Sequence, residues 1–271
     1  MGEGPSRSPL WLGTILILVL AELIWRLTSK RGYDMRGALA TLGLAAGNVP
    51  AALLQALVVG SLFGLVWRHA PLHYSLHSIW TWITGFLVVE FAYYWFHRAS
   101  HRLRWLWTSH SVHHSAEQLT LLSSLRLSWT NVLSAGWVVY LPVVFLGFDP
   151  RLVAALLALD LHYQFFLHTE VRFSLGPLEW ILNSPAHHRV HHGVNDWCLD
   201  RNYGGMLIVF DRLFGTFAAE RAGEPIRYGL VNRPPEFNPI KLALREWIGL
   251  FKDLRRADCI RSAVATFLLP P

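Results

Sequence analysis

The chain has few of the residues on which most familiar architectures are built. Only two cysteines occur in 271 residues, Cys198 and Cys259, and neither belongs to a CxxC. A disulfide framework or a thiolate zinc site is therefore not expected. Charged residues make up only 15% of the chain, against about 25% in ordinary soluble domains. No GxGxxG follows a strand-like run and no CxxCH occurs, so neither a dinucleotide fold nor covalent haem is expected. The net charge of +6 comes without any nucleic-acid-binding motif. Internal repeats and low-complexity tracts are also missing.

What replaces them is apolar and aromatic. Hydrophobic residues reach 53%, with 13 Trp, 15 Phe and 8 Tyr, a load that suits membrane interfaces. Pro9 to Leu27 is apolar apart from Glu22 and Trp25–Arg26, and reads as an anchor or first span. Ala38 to Trp67 carries no charge over a length greater than the roughly 20 residues needed to cross a bilayer. Asn48-Val49-Pro50 marks a kink in it or its true start. Ser78 to Phe96 is a further span, and Trp129 to Phe148 with Arg151 to Leu167 forms a hairpin of two more, joined by a turn at Gly147-Phe148-Asp149-Pro150. The fold class expected is an all-α integral membrane protein of four to five membrane helices with a cytoplasmic helical cap. Its parts are membrane spans at 1–96, a core at 97–220 that includes the hairpin 129–167, and a C-terminal cytoplasmic or interfacial helical segment at 221–271. In that last part, Ile240, Ala243, Trp247, Leu250, Phe251 and Leu254 share one helical face, expected either to lie on the membrane surface or to pack onto the core.

Fourteen histidines are present, and eleven lie between His97 and His192. With the basic loop 26–36 in the cytoplasm, as positive charge at the inner face requires, the spans deliver His97 and His168 to that same side. His69, His73 and His77 fall on the opposite side. The pattern is His97-x3-His101, His110-x2-His113-His114, a single His168, and His187-His188-x2-His191-His192. Residues three and four apart share a helix face, so each box can present its rings to one site. Neutral imidazole binds zinc, copper, iron and nickel alike. One tetrahedral zinc needs four ligands, whereas nine converging rings suit two ions.

These boxes resemble those of the fatty acid hydroxylase and sterol desaturase superfamily, which are membrane di-metal oxygenases. The likeness runs from Glu90-Phe-Ala-Tyr-Tyr-Trp-Phe-His97 through Asn183-Ser-Pro-Ala-His-His188 to Asp211-Arg-Leu-Phe-Gly215, and is similar in motif to the alkylglycerol monooxygenase branch. The resemblance implies metal ligands at His97, His101, His110, His113, His114, His168, His188, His191 and His192. It implies two iron ions, with zinc as a possible substitute, and dioxygen as co-substrate. Some relatives carry histidine where Gln164 stands, so an amide or water would complete one metal here. The implied reaction is hydroxylation or desaturation of a lipid C–H bond, with the lipid arriving from the bilayer. Electrons must then come from a separate donor such as a ferredoxin, cytochrome or pterin.

Several polar residues are candidates for supporting the rings rather than holding metal. Glu90 lies two turns before His97 on the same helical face, and acids within spans are functional by default. Asp160, Asp200 and Asp211 could orient ring N–H groups. His187 points about 100° away from His188 on a helix, and His162 sits in the last apolar stretch; both are expected to lie behind the ligands. Two other readings use the same histidines: a membrane zinc hydrolase, which needs only three of them, and a metal transporter or sensor, which would string them along a path inside the membrane.

Overall fold

The computed structural model describes the backbone of residues 9–270 and side chains from residue 13 onward. Among the described residues every regular element is helical, and the only pairing of extended chain is an isolated antiparallel bridge between Leu182 and Leu207. Helix α1 covers Pro9–Thr28, α2 Met35–Arg68, α3 Ile79–Arg102 and α4 Arg104–His114.

Helix α2 has the length and apolarity to cross a membrane, and no other helix among the described residues passes both tests. Its 34 residues correspond to about 51 Å. Asp34 caps it by accepting from the Gly37 N–H at 2.9 Å. The helix runs unbroken through Pro50, so the expected true start at that proline is not found. Large apolar side chains along it are bare, including Leu39, Val49, Leu54 and Leu57, the last 70% exposed. A row of that kind in contact with water would be a liability, and in lipid it is the matching surface.

The expected hairpin of two spans is corrected by the structure. Residues 129–148 are not one helix but α5 (Asn131–Ser134), a 3₁₀ turn at Gly136–Tyr140 and α6 (Leu141–Phe145). The break has a local cause. Ala135 adopts a left-handed conformation with φ +55, which stops α5. Pro142 then lacks the N–H that a continuous helix would need. The phenyl ring of Phe96 fills the space where a side chain at Gly136 would project. The predicted turn is present: Gly147 has φ +108 under the Leu72 backbone, and Asp149 accepts from the Arg151 N–H at 2.8 Å to start α7 (Pro150–Leu167). The core of this bundle joins Val59 and Phe63 of α2, Val89 and Ala92 of α3, Val143 and Val144 of α6, and Leu152 and Leu156 of α7.

Beyond it, α8 covers Pro185–His192, α9 Val209–Leu213, α10 Pro239–Arg255 and α11 Ile260–Leu268. The apolar residues of α10 grouped on one face from the sequence are divided by the structure. Leu242, Ala243, Glu246, Trp247 and Leu250 are buried, whereas Ile240 and Phe251 are exposed. Trp247 packs edge-on against Trp105 of α4 and donates to the Thr130 hydroxyl at 2.8 Å.

Candidate metal centre

The centre begins with one residue, Leu103, in extended conformation between α3 and α4. That single turn folds α4 back so that its last turn, with His110, His113 and His114, meets the end of α3 with His97 and His101. Helix α7 ends at Leu167 and hands over His168, and α8 supplies the rest. The nine rings named from the sequence fall into two groups. His97, His101, His110, His114 and His191 place one nitrogen each within 4.8 Å of all the others, and so do His113, His168, His188 and His192.

The spacing inside the groups is informative. The Nε2 atom of His110 lies 3.0 Å from that of His97, 3.0 Å from that of His101 and 3.2 Å from that of His114. In the second group His168 lies 3.1 Å from both His113 and His188, and His188 lies 3.1 Å from His192. A ring nitrogen carries either one proton or one lone pair, so His110 Nε2 cannot satisfy three partners by hydrogen bonding. Nitrogens about 2.1 Å from a shared cation lie roughly 3.0 Å apart at right angles and roughly 3.4 Å apart at tetrahedral angles. The observed spacings match the right-angled edge. Five nitrogens in one group also exceed a tetrahedral set. The buried Nε2 of His191 has no hydrogen-bond partner among the described residues, an orphan that a cation would satisfy.

Burial, more than any neighbour, holds the ring pKa values far below the ordinary histidine range. It brings His168 and His191 down to about 4, and pushes His97, His101, His110, His113, His114, His188 and His192 well below 6.5, with adjacent rings adding to the effect. The rings are thus neutral and ready to ligate at physiological pH. The sign for stability follows. Between the depressed native values near 4 and the ordinary 6.5, the unfolded chain binds more protons than the native one. The metal-free protein is expected to lose stability as pH falls through that window. Melting of chelator-treated protein across the same range checks it, and a melting temperature that held level or rose toward pH 4 would contradict it.

Ring orientation comes from backbone rather than from acids. The Nδ1–H of His97 donates to the Tyr203 carbonyl at 2.8 Å, that of His168 to Gln164 at 2.7 Å, and that of His191 to Arg201 at 3.0 Å. Each bond leaves Nε2 to face the group interior. None of the four acids singled out from the sequence is hydrogen-bonded to one of these rings. Glu90 accepts from the Leu207 N–H at 2.9 Å and lies against Asp160, which in turn accepts from the Gln164 amide at 2.6 Å. Gln164 also accepts from the Tyr93 hydroxyl at 3.1 Å, so both ends of its amide are engaged away from the groups. Asp200 accepts from Arg102 at 2.7 Å and from the Tyr203 hydroxyl at 3.0 Å. His162 bonds the Ala158 carbonyl, one turn back in α7. His187 lies outside both groups, edge-on to Phe217, with its pKa brought down to about 4 by burial.

Asp211 acts at one remove. Its carboxylate accepts from the N–H of Tyr203 and of Gly204, both at 2.7 Å, and from the Thr216 hydroxyl at 2.6 Å. It thereby fixes the loop whose Tyr203 carbonyl holds His97. Asp211→Ala strips three buried donors of their acceptor and is expected to weaken metal retention by about 10–100-fold, the usual effect of disturbing a ligand's support. Competition with a chelator measures it; unchanged retention would remove Asp211 from this role.

The sequence offered no side-chain signal for Tyr203, because the working atom is its carbonyl. One indirect cue was available: Asp200 and Asn202 both have left-handed φ, +59 and +56, a conformation that Asp and Asn tolerate better than most. Asn202 donates to the His187 and Ala218 carbonyls at 3.0 and 2.7 Å, tying this loop to α8. Arg189, buried among the α8 histidines, pairs with Glu220 at 2.7 Å and donates to the Thr169 carbonyl beside His168. Glu22 of α1 accepts from the Thr169 hydroxyl at 2.5 Å, so the first helix also braces that residue.

A cavity of about 380 Å³ opens directly onto both groups. His101, His114, His191 and His192 line it together with Trp107, Leu199, Leu230 and Val231 and the polar Asp200 and Asn232. The Arg233–Glu246 ion pair, 3.0 Å apart, is also part of the lining.

Comparison with known proteins agrees with this geometry. The chain is 40% identical over 237 residues to human alkylglycerol monooxygenase, covering 86% of this chain and 52% of the relative. It is 44% identical over 171 residues to the Xenopus tropicalis alkylglycerol monooxygenase, covering 63% of this chain and 37% of that one. It is 30% identical over 135 residues to the ornithine lipid hydroxylase OlsE of Rhizobium tropici, covering 50% and 41%. The chain spans about half the length, or less, of these curated relatives. No solved structure matches it. Residues 82–216, which contain all nine clustered histidines, match the family described as fatty acid hydroxylase, and the chain belongs to that family.

Proposed function

We propose that this chain is a membrane-bound oxygenase that holds two iron ions and hydroxylates a C–H bond of a lipid, using dioxygen and electrons from a separate donor. The observation that carries the reading is the pair of nitrogen groups, five and four, with neighbours 3.0–3.2 Å apart. That spacing and number favour a six-coordinate preference over the tetrahedral preference of zinc. Iron held there would supply the dioxygen chemistry needed to oxidise an unactivated C–H bond.

The chain's own residues supply the rest. Carbonyls of Tyr203, Gln164 and Arg201 hold three rings in the tautomer with Nε2 facing inward. Trp107, Leu199, Leu230 and Val231 give the cavity an apolar wall suited to an alkyl chain, and a dry one limits wasteful side reactions. The charged pair Arg233–Glu246 in the lining suits a polar head. Lipids with a polar head also match the names of the relatives, which act on alkylglycerols and on an ornithine lipid. With the basic residues Arg26, Lys30, Arg31 and Arg36 near the start of α2 on the inner side, the metal groups lie at the cytoplasmic face.

The test uses purified full-length chain in lipid, loaded with iron under reducing conditions. Two irons per chain, and incorporation of isotope from labelled dioxygen into a lipid hydroxyl, are expected. A single zinc per chain with lipid hydrolysis and no oxygen uptake would replace this reading with a hydrolase.

A further inference from the structure

Helix α10 carries two apolar faces, and the protein covers only one. Leu242, Ala243, Trp247 and Leu250 pack inward against α2 and α4. Ile240, Leu244, Ile248 and Phe251 form a second stripe, each 40–59% exposed. At about 100° per residue these four occupy an arc of roughly 80° beside the buried face. Lys241, Arg245 and Lys252 follow on the next arc. The helix has two acids, and both are engaged by arginines: Glu246 by Arg233 at 3.0 Å and Asp253 by Arg104 at 2.5 Å. Lys241 in turn lies 4.0 Å from Glu236, just ahead of the helix, so the outward positive charge of α10 comes chiefly from Arg245 and Lys252. Helix α11 repeats the pattern, with Ile260, Val264 and Leu268 exposed at four-residue spacing.

The position of α10 is fixed by α2. Pro239, the first residue of α10, sits where a side chain at Gly43 would project, and Arg36 lies over the Phe237 ring at 4.5 Å. Gly43 is eight residues from the start of α2, or about 12 Å along the helix. The start of α10 is thus packed on the same stretch of α2 that carries the bare Leu39 and Leu42.

We infer that α10 and α11 lie in the membrane interface, with their exposed apolar stripes in the acyl boundary and Arg245 and Lys252 among anionic headgroups. Apolar area on one side, basic residues at its margin and contact with a spanning helix at the right depth are the requirements for such a seat. Glu246 and Pro270, from the same two-helix unit, line the cavity over the metal groups. The seat accordingly brings the cavity mouth to the lipid surface, a consequence that rests on the oxygenase reading, whereas the docking does not.

The experiment uses the full chain with exposed Cys259→Ser, the buried Cys198 being retained. Single cysteines replace Leu244, Ile248 or Val264, with Lys252→Cys as the comparison, and each carries a small fluorophore. The protein is reconstituted into vesicles of phosphatidylcholine with phosphatidylglycerol. Labels at 244, 248 and 264 are expected to be quenched several-fold more by bromine-bearing acyl chains than by aqueous iodide, with the reverse order at 252. Equal iodide access at all four positions would overturn the inference. Energy transfer between labels on different chains, with no quenching by lipid, would assign the stripe to a second copy and overturn it as well. Neither readout depends on metal content or turnover.

Discussion

His110→Ala is expected to empty the five-nitrogen group and reduce lipid hydroxylation by well over 100-fold, more than loss of a mere supporting residue, for which about 10–100-fold is usual. His110 stands at the centre of its group, within 3.2 Å of three other ring nitrogens. Removing it leaves four rings at the corners of a site whose middle edge is gone. The ring is buried, so the substitution also opens a polar hollow lined by neutral imidazoles. Water can fill such a hollow, because partners for it are at hand. The fold is therefore expected to survive while metal binding does not. Iron counted per chain, together with hydroxylated product, separates the two. His162→Gln is the matching control, since His162 lies outside both groups and bonds its own helix at Ala158. It should retain both irons. If His110→Ala bound two irons and turned over normally, the grouping of ligands proposed here would be wrong.

The contrast between His110 and Glu90 shows what a sequence reveals of this fold. Histidines at three- and four-residue spacing announce both a residue type and a helix face, so the nine rings could be named and the structure brings all nine together. Glu90 also sat on the right face of α3, yet its carboxylate serves a backbone N–H of Leu207, more than a hundred residues away. A buried carboxylate goes to whichever donor the tertiary fold leaves unpaired, and that donor has no signature along the chain. Tyr203 is the converse case, in which a carbonyl any residue could offer becomes the partner of His97. The segment 129–148 failed for another reason. Its apolar composition satisfied the hydropathy criterion for a span, while Ala135, Gly136 and Pro142 broke the helix into three short pieces. Apolarity reports burial or lipid contact, and does not by itself report a continuous helix.

Arg126→Met is expected to be the most damaging change outside the metal groups, lowering stability by on the order of 3 kcal/mol through acceptors left unpaired in the interior. The residue is only 2% exposed, and burial brings its pKa down to about 10. Nε donates to the Thr41 hydroxyl at 2.9 Å, Nη1 to the Ser115 hydroxyl at 2.9 Å and Nη2 to the Gly37 carbonyl at 3.0 Å. These three partners belong to α2 and to the end of α4, so one side chain fastens the spanning helix to the helix that carries His110, His113 and His114. Methionine matches the bulk of the stem and offers no donor. Thr41, Ser115 and Gly37 would then share a junction whose cavity of about 20 Å³ has room for about one water where three donors stood. Lysine keeps a charge but replaces the planar fork with a single nitrogen, and cannot reach all three acceptors at once. Arg126→Lys is accordingly expected to recover only part of the loss. Thermal melting of the metal-free variants in lipid measures the effect without the stabilisation that bound metal would add. A methionine variant that melted with the parent chain would show that the α2–α4 junction is held by its apolar contacts alone.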